Sequence, residues 1–236
     1  MGEEKKKTAK EIIETYDGPP LRIMEVCGTH THENFRLGIR KLLPEQVELI
    51  SGPGCPVCVT PVGFIDEAVY LALERGVTIC TFGDLVRVPG TEMSLAGARA
   101  KGAKIHIVYS PADAEKYAVE HPEEQVVFLS VGFETTTPAG CLSVKQAKKD
   151  GIQNYSLLVA NKTMPGAYAA LKGSADVFLY PGHVNAITGT ELCESLVQEG
   201  VSGVVAGFTA KELLTALAVS LVKYQEGKPF FMNCYP

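Results

Sequence analysis

The sequence predicts an α/β protein of two domains, each built on a mostly parallel sheet, with loops turned toward a shared central cleft. Three observations predict it. Short apolar runs rich in β-branched residues alternate with longer helical patterns, the signature of βαβ units. Several of the short runs are continuously apolar, as strands buried on both faces must be. Stretches rich in glycine, cysteine and histidine fall just after the ends of those runs, where ligands gather in open parallel sheets.

In order, the expected strands are Leu21–Val26 (LRIMEV), Val47–Ile50 (VELI), Val77–Thr81 (VTICT) and Lys104–Tyr109 (KIHIVY). A second group follows: Val126–Val131 (VVFLSV), Ser156–Ala160 (SLLVA), Val177–Tyr180 (VFLY) and Gly203–Ala206 (GVVA). The clearest helical patterns cover Val62–Glu74, Ala139–Lys149, Ala167–Leu171, Leu192–Glu199 and Lys211–Glu226. The 236 residues suffice for one large or two small α/β domains, at roughly 100–150 residues each. Four strands lie on each side of about residue 122, so the expected domains are residues 1–122 and 123–236.

Hydrophobic content of 46% with 21% charged residues fits an ordinary globular chain. A net charge of −5 argues against nucleic acid or an anionic membrane as the main partner. The basic run Lys5–Lys10 reads as a solvated helix or tail. No apolar stretch reaches the roughly 18–20 residues of a transmembrane helix. The N-terminus "MGEEKKKTAKEIIETYDG" lacks the apolar core of a signal peptide, so a cytoplasmic protein is expected. Seven cysteines in a reducing compartment should be thiols, and a clustered pair then points to metal ligation or redox chemistry.

Such a pair, Cys55 and Cys58, lies in "SGPGCPVCVTP", a stretch too rich in proline and glycine for any helix or strand interior. Thr60 is the expected N-cap of the next helix, with Pro61 at its first position. That would set both thiols ahead of a helix N-terminus, where the dipole lowers a thiol pKa. The pair could cycle between dithiol and disulfide, hold a soft metal, or simply pack as thiols in a loop. In "MEVCGTHTHENF", Cys27 follows a strand, Gly28 allows a tight turn, and Thr31 with Asn34 are expected to cap the next helix. Cys27, His30 and His32 offer one soft and two borderline ligands. A tetrahedral zinc site from Cys27, His30, Cys55 and Cys58 is chemically reasonable, as is iron on the Cys27 thiolate. A capping loop with solvent-facing histidines is the plain alternative.

"GFETTTPAG" sets Glu134 after a strand and Thr137–Pro138 at a helix start, and "PGHVNAITG" sets His183 after another strand. Glu134 and His183 read as turn-forming polar residues, as a proton-transfer pair, or as groups that orient a ligand. There is no Walker A motif, no Gly-x-Gly-x-x-Gly and no Gly-x-Ser-x-Gly elbow. Cys80, Cys141 and Cys193 read as buried core thiols, and Cys234 sits in a tail without neighbouring ligands.

With these loops assembled, the sequence resembles the HypD family, hydrogenase formation proteins that help mature NiFe hydrogenases. The matching stretches are "RIMEVCGTHTH", "GPGCPVCVTP", "CTFGDLVRVPG", "VYSPADA", "GFETTTPA" and "PGHVNAITG", in family order, and they span about Leu21 to Tyr235. The resemblance implies two Rossmann-like domains and a scaffold on which iron acquires two cyanides and one carbon monoxide. It implies work with a small HypC-type chaperone and a HypE-type cyanide donor. By matched residues, Cys27 is implied as the iron thiolate with His30 beside it, Cys55 and Cys58 as the redox pair, and Glu134 and His183 as cleft residues.

Two departures stand out. The family continues well beyond "FMNCYP" into a region holding a 4Fe–4S cluster, so no such cluster is expected within this chain, and a separate cluster-bearing polypeptide is a candidate partner. Thr209 stands where family members usually carry glutamate. The leading expectation is an iron-cofactor assembly scaffold with redox-active thiols rather than a turnover enzyme. The alternatives are a thiol–disulfide redox protein using Cys55 and Cys58, and a zinc protein with a structural Cys/His site.

Overall fold

A computed structural model describes residues 7–52 and 54–236. Lys5 and Lys6 of the basic run and Pro53 of the proline–glycine loop lie outside the described residues. The chain runs α1 (Ala9–Glu14), β1 (Leu21–Glu25), α2 (Gly28–Arg36), β2 (Val47–Ser51), α3 (Val62–Glu74), β3 (Thr78–Thr81), α4 (Leu95–Ala100) and β4 (Ile105–Ile107). It continues with α5 (Pro111–Glu120), β5 (Val126–Ser130), α6 (Thr137–Lys149), β6 (Tyr155–Val159), α7 (Met164–Ala170) and β7 (Val177–Pro181). It ends with α8 (Gly182–Thr188), α9 (Glu191–Ser195), β8 (Ser202–Ala206), α10 (Ala210–Tyr224) and β9 (Phe231–Asn233). The eight strands read from the sequence are all present, shifted by a residue or two at their ends. β9 was not expected: three residues carry too little pattern to be read as a strand.

Two all-parallel sheets divide these strands, in the orders β2-β1-β7-β8-β9 and β4-β3-β5-β6. The architecture is two Rossmann-like α/β units. Their composition corrects the expected break near residue 122. The first unit is Met1–Cys55 with Met164–Pro236, and the second is Pro56–Thr163. β1 pairs with β2 on one side and with β7 on the other, so the first strands of the chain close onto its last third. Strand order was not readable because strands buried on both faces look alike whatever their neighbours.

Each unit has its own core. In the first, Leu21, Ile23, Val177, Leu179 and Val204 of the sheet pack with Leu213, Leu217 and Leu221 of α10 and Ile13 of α1. α10 begins at a capping box: the Thr209 hydroxyl accepts from the Glu212 amide, and the Glu212 carboxylate accepts from the Thr209 amide. Thr209, the departure from the family pattern, is therefore a helix cap. In the second unit, Ile65, Ala68, Ile79, Leu95 and Leu129 form one cluster and Phe128, Ala114 and Ala118 another. No helix among the described residues is long and apolar enough to cross a membrane.

Candidate metal and thiol site

Glu25 ends β1 and Ser51 ends β2, and the two are register partners. The "CGTHTH" turn and the "GPGC" loop therefore leave one sheet side by side at its carboxyl end. Cys27 is the N-cap of α2, in extended backbone (φ −145°, ψ 127°), and its side chain makes no capping hydrogen bond. It is 8% exposed. A thiol there sits at the helix end where free amide N–H groups and the dipole favour an anion. The helix starts earlier than expected, so Thr31 and Asn34 lie inside it and do not cap it.

His30, in the first turn, is completely buried rather than solvent-facing, whereas His32 is exposed. The Nε2–H of His30 donates to the carbonyls of Gly207 (3.0 Å) and Ala206 (3.3 Å) at the carboxyl end of β8. Carbonyls only accept, so Nε2 carries the proton and Nδ1 keeps the lone pair. Burial pushes the His30 pKa down to about 4, against the opposing pull of those two carbonyls and of Glu25. The ring is thus neutral near pH 7, and Nδ1 has no hydrogen-bond partner among the described residues. Phe208 stacks on His30 (centroids 4.7 Å apart) and also contacts the His183 ring (4.9 Å). His183 opens α8, directly after Gly182, against which the Tyr235 ring packs. Burial lowers the His183 pKa, which favours the neutral ring there too.

Beneath this site lies the carboxylate of Glu25, fully buried. It accepts from Asn34 Nδ2 (2.7 Å), from Arg40 Nη2 (3.0 Å) and from the Ser51 hydroxyl (3.4 Å). None of Glu25, Asn34, Arg40 or Phe208 was singled out as functional from the sequence. The available signal was Glu25, a charged residue ending an apolar strand two positions before a cysteine.

Gly54 presses against the backbone of Cys27 and Gly28, and Cys55 next to it is exposed. Cys58 is also exposed and belongs to the second unit. Its turn is closed by the Thr60 hydroxyl, which donates to the Pro56 carbonyl at 2.9 Å. Thr60 is consequently not the cap of α3. Pro61 is, and the helix proper begins at Val62. The two thiols stand outside the first turn over which a helix dipole acts. Glu134 lies in the second unit, between β5 and α6. Its loop is tied down by Thr137 on Phe133 O and by Asn161, which donates to Thr137 and accepts from Ser130. The helix start at Thr137–Pro138 is as expected.

The four-ligand zinc arrangement is not preformed in the first unit: Cys27, His30 and Cys55 do not bring ligand atoms within 4.8 Å of one another. Among the described residues, His121, Glu123 and Glu124 do so. There Glu124 is already engaged by Lys104, Thr78 and Tyr117. Of the remaining cysteines, Cys80 and Cys193 are buried as expected, Cys141 is exposed on α6, and Cys234 is half-buried against the first core.

A thiol at a helix cap, a neutral buried histidine one turn on and a second histidine beyond Phe208 form the setting in which the similarity to known proteins is read. The HypD family profile, described as "Hydrogenase formation hypA family", matches residues 3–236. The chain belongs to the HypD family. It is 46% identical over 205 residues to the hydrogenase maturation factor HypD of Escherichia coli (strain K12), covering 85% of this chain and 55% of that protein. To HypD of Rhodobacter capsulatus it is 42% identical, covering 92% and 59%. To HypD of Rhizobium leguminosarum bv. viciae it is 40% identical, covering 98% and 63%. The chain thus spans under two thirds of the length of these HypD proteins.

Proposed function

We propose that this chain acts in hydrogenase maturation as a scaffold that binds iron while its cyanide and carbonyl ligands are assembled. One observation carries the reading beyond the family: Cys27 at the α2 cap is followed, one turn on, by a neutral imidazole whose Nδ1 lone pair has no donor. A thiolate and an imidazole suit a soft or borderline metal, and an iron centre carrying cyanide and carbonyl favours soft donors. Cys27 is the anchoring ligand and His30 its neighbour. His183, set by Phe208 and Tyr235, is the nearby proton-handling or ligand-orienting group, with Glu134 as a second such group. Cys55 and Cys58, exposed on a proline-stiffened loop, are the redox-active dithiol. The partners are a HypC-type chaperone, a HypE-type cyanide donor and a separate cluster-bearing polypeptide, and the setting is the cytoplasm. No nucleic acid or membrane surface is needed.

Anaerobic purification with the chaperone, followed by metal analysis and infrared spectroscopy, tests this. Iron with bands from bound cyanide and carbonyl supports the scaffold. Tightly held zinc without such bands would replace it with a structural Cys/His site. A metal-free protein with one reactive dithiol would make it a thiol–disulfide protein.

A further inference from the structure

The inward stripe of α2 is polar. Cys27, His30 and Asn34 stand at i, i+3 and i+7, along one face of the helix. His30 and Asn34 are the residues that α2 buries completely, where a helix of this kind ordinarily turns aliphatic side chains inward. The orientation of the Asn34 amide is dictated from below. The ionised Glu25 carboxylate can only accept, so the Asn34 NH₂ must face it, and Oδ1 must point the other way. Arg40 and Ser51 hold the carboxylate in that position. Asn34 Oδ1 has no hydrogen-bond partner among the described residues, and neither has His30 Nδ1 one turn earlier. A thiol, an imidazole nitrogen and an amide oxygen on one stripe, backed by a buried carboxylate, suit a cation and repel an anion.

We propose that Asn34 is a further binding residue of this site, its carboxamide oxygen held by Glu25 as a third donor to a divalent first-row metal. The proposal rests on the reading of Cys27 and His30 as an iron site. Glu25 acts through Asn34 and is a positioning residue.

The chemistry of the pair supplies a reciprocal test. In Glu25→Gln the new amide can still accept from Arg40, but its NH₂ now faces Asn34. Asn34 meets it by flipping, which keeps the fold and turns an NH₂ toward the metal. In the double variant Glu25→Gln/Asn34→Asp, the aspartate accepts from Gln at position 25 with one oxygen and presents the other to the metal. Anaerobic Fe(II) titration against a chromophoric chelator, on the full chain, should show Glu25→Gln binding about 10–100-fold more weakly and the double variant within about threefold of wild type. Thermal unfolding checks the fold, and the thiolate-to-Co(II) absorption band should persist in Glu25→Gln because Cys27 still ligates. If Glu25→Gln binds Fe(II) like wild type, or the double variant is as weak as the single one, the proposal is wrong while the Cys27–His30 site stands. If wild type itself takes no Fe(II), the site reading fails and the proposal with it. Should Glu25→Gln not fold, the double variant decides alone, wild-type-like binding supporting the proposal and loss of binding overturning it.

Discussion

Gly54 lies flat against Cys27: a β-carbon at Gly54 would stand 2.6 Å from the Cys27 Cα and closer still to the Gly28 amide nitrogen. The loop that carries Cys55 is thereby seated on the turn that carries Cys27. The atoms in the way are backbone, which cannot rotate aside as a side chain can.

Gly54→Ala is accordingly expected to cost on the order of 1–3 kcal/mol, the usual range for forced overpacking, and to weaken iron binding by displacing Cys27. Urea unfolding and metal titration measure the two effects. Gly63→Ala is the control. It lies in α3 with open space at its β-carbon, so removing glycine's backbone freedom should stabilise by about 0.5–1 kcal/mol. Equal behaviour of the two variants would show that the Gly54 contact has no consequence.

His30 makes stability depend on pH. Its folded pKa, about 4, lies below the model value of 6.5, so the unfolded chain binds the extra proton more readily. The contribution is therefore complete above about pH 6.5 and is lost as pH falls toward 4, by up to about 3 kcal/mol. Denaturant unfolding from pH 7.5 to 4 should show this slope, and His30→Gln should flatten it. An unchanged slope in His30→Gln would assign the acid sensitivity to other groups.

Cys27→Ser should leave the fold intact, since the thiol makes no capping hydrogen bond that a hydroxyl would disturb. Iron loading should fall by more than the roughly 10–100-fold seen when only an outer group is lost. His30→Ala should be as severe if Nδ1 ligates and milder if the ring only orients. Iron content and ligand infrared bands, after anaerobic reconstitution with the chaperone, report both. Wild-type bands in Cys27→Ser would move the anchoring role to Cys55 and Cys58.

Mild oxidation should remove two thiols from wild type and none from Cys55→Ala or Cys58→Ala. Both cysteines are exposed, and thiols this close in sequence can reach bridging distance with modest loop adjustment. Cys80 should stay inert, being fully buried with a pKa raised to about 12 by desolvation. Thiol counting before and after oxidation, with mass spectrometry to place the bond, is the check. An unchanged count in wild type would rule the pair out as a disulfide couple.

Local chemistry was legible in the sequence. The eight strands, the α3 span and the placing of Cys27, Cys55, Glu134 and His183 just beyond strand ends all follow from apolar runs and from residues that cannot sit inside them. Helix starts were less legible: Thr60, Thr31 and Asn34 have the right chemistry for caps, but Pro61 and Cys27 took those positions because backbone geometry, not side-chain type, ends the loop. Tertiary structure alone decided the rest. Only strand pairing shows that β1 and β2 belong with β7, β8 and β9, because an apolar strand does not encode its neighbour. The same pairing brings Ala206, Gly207 and Phe208 against His30, some 176 residues away in sequence. That contact buries the ring, assigns its tautomer and frees Nδ1, and no pattern near "CGTHTH" could foretell it, since burial depends on elements distant in the chain.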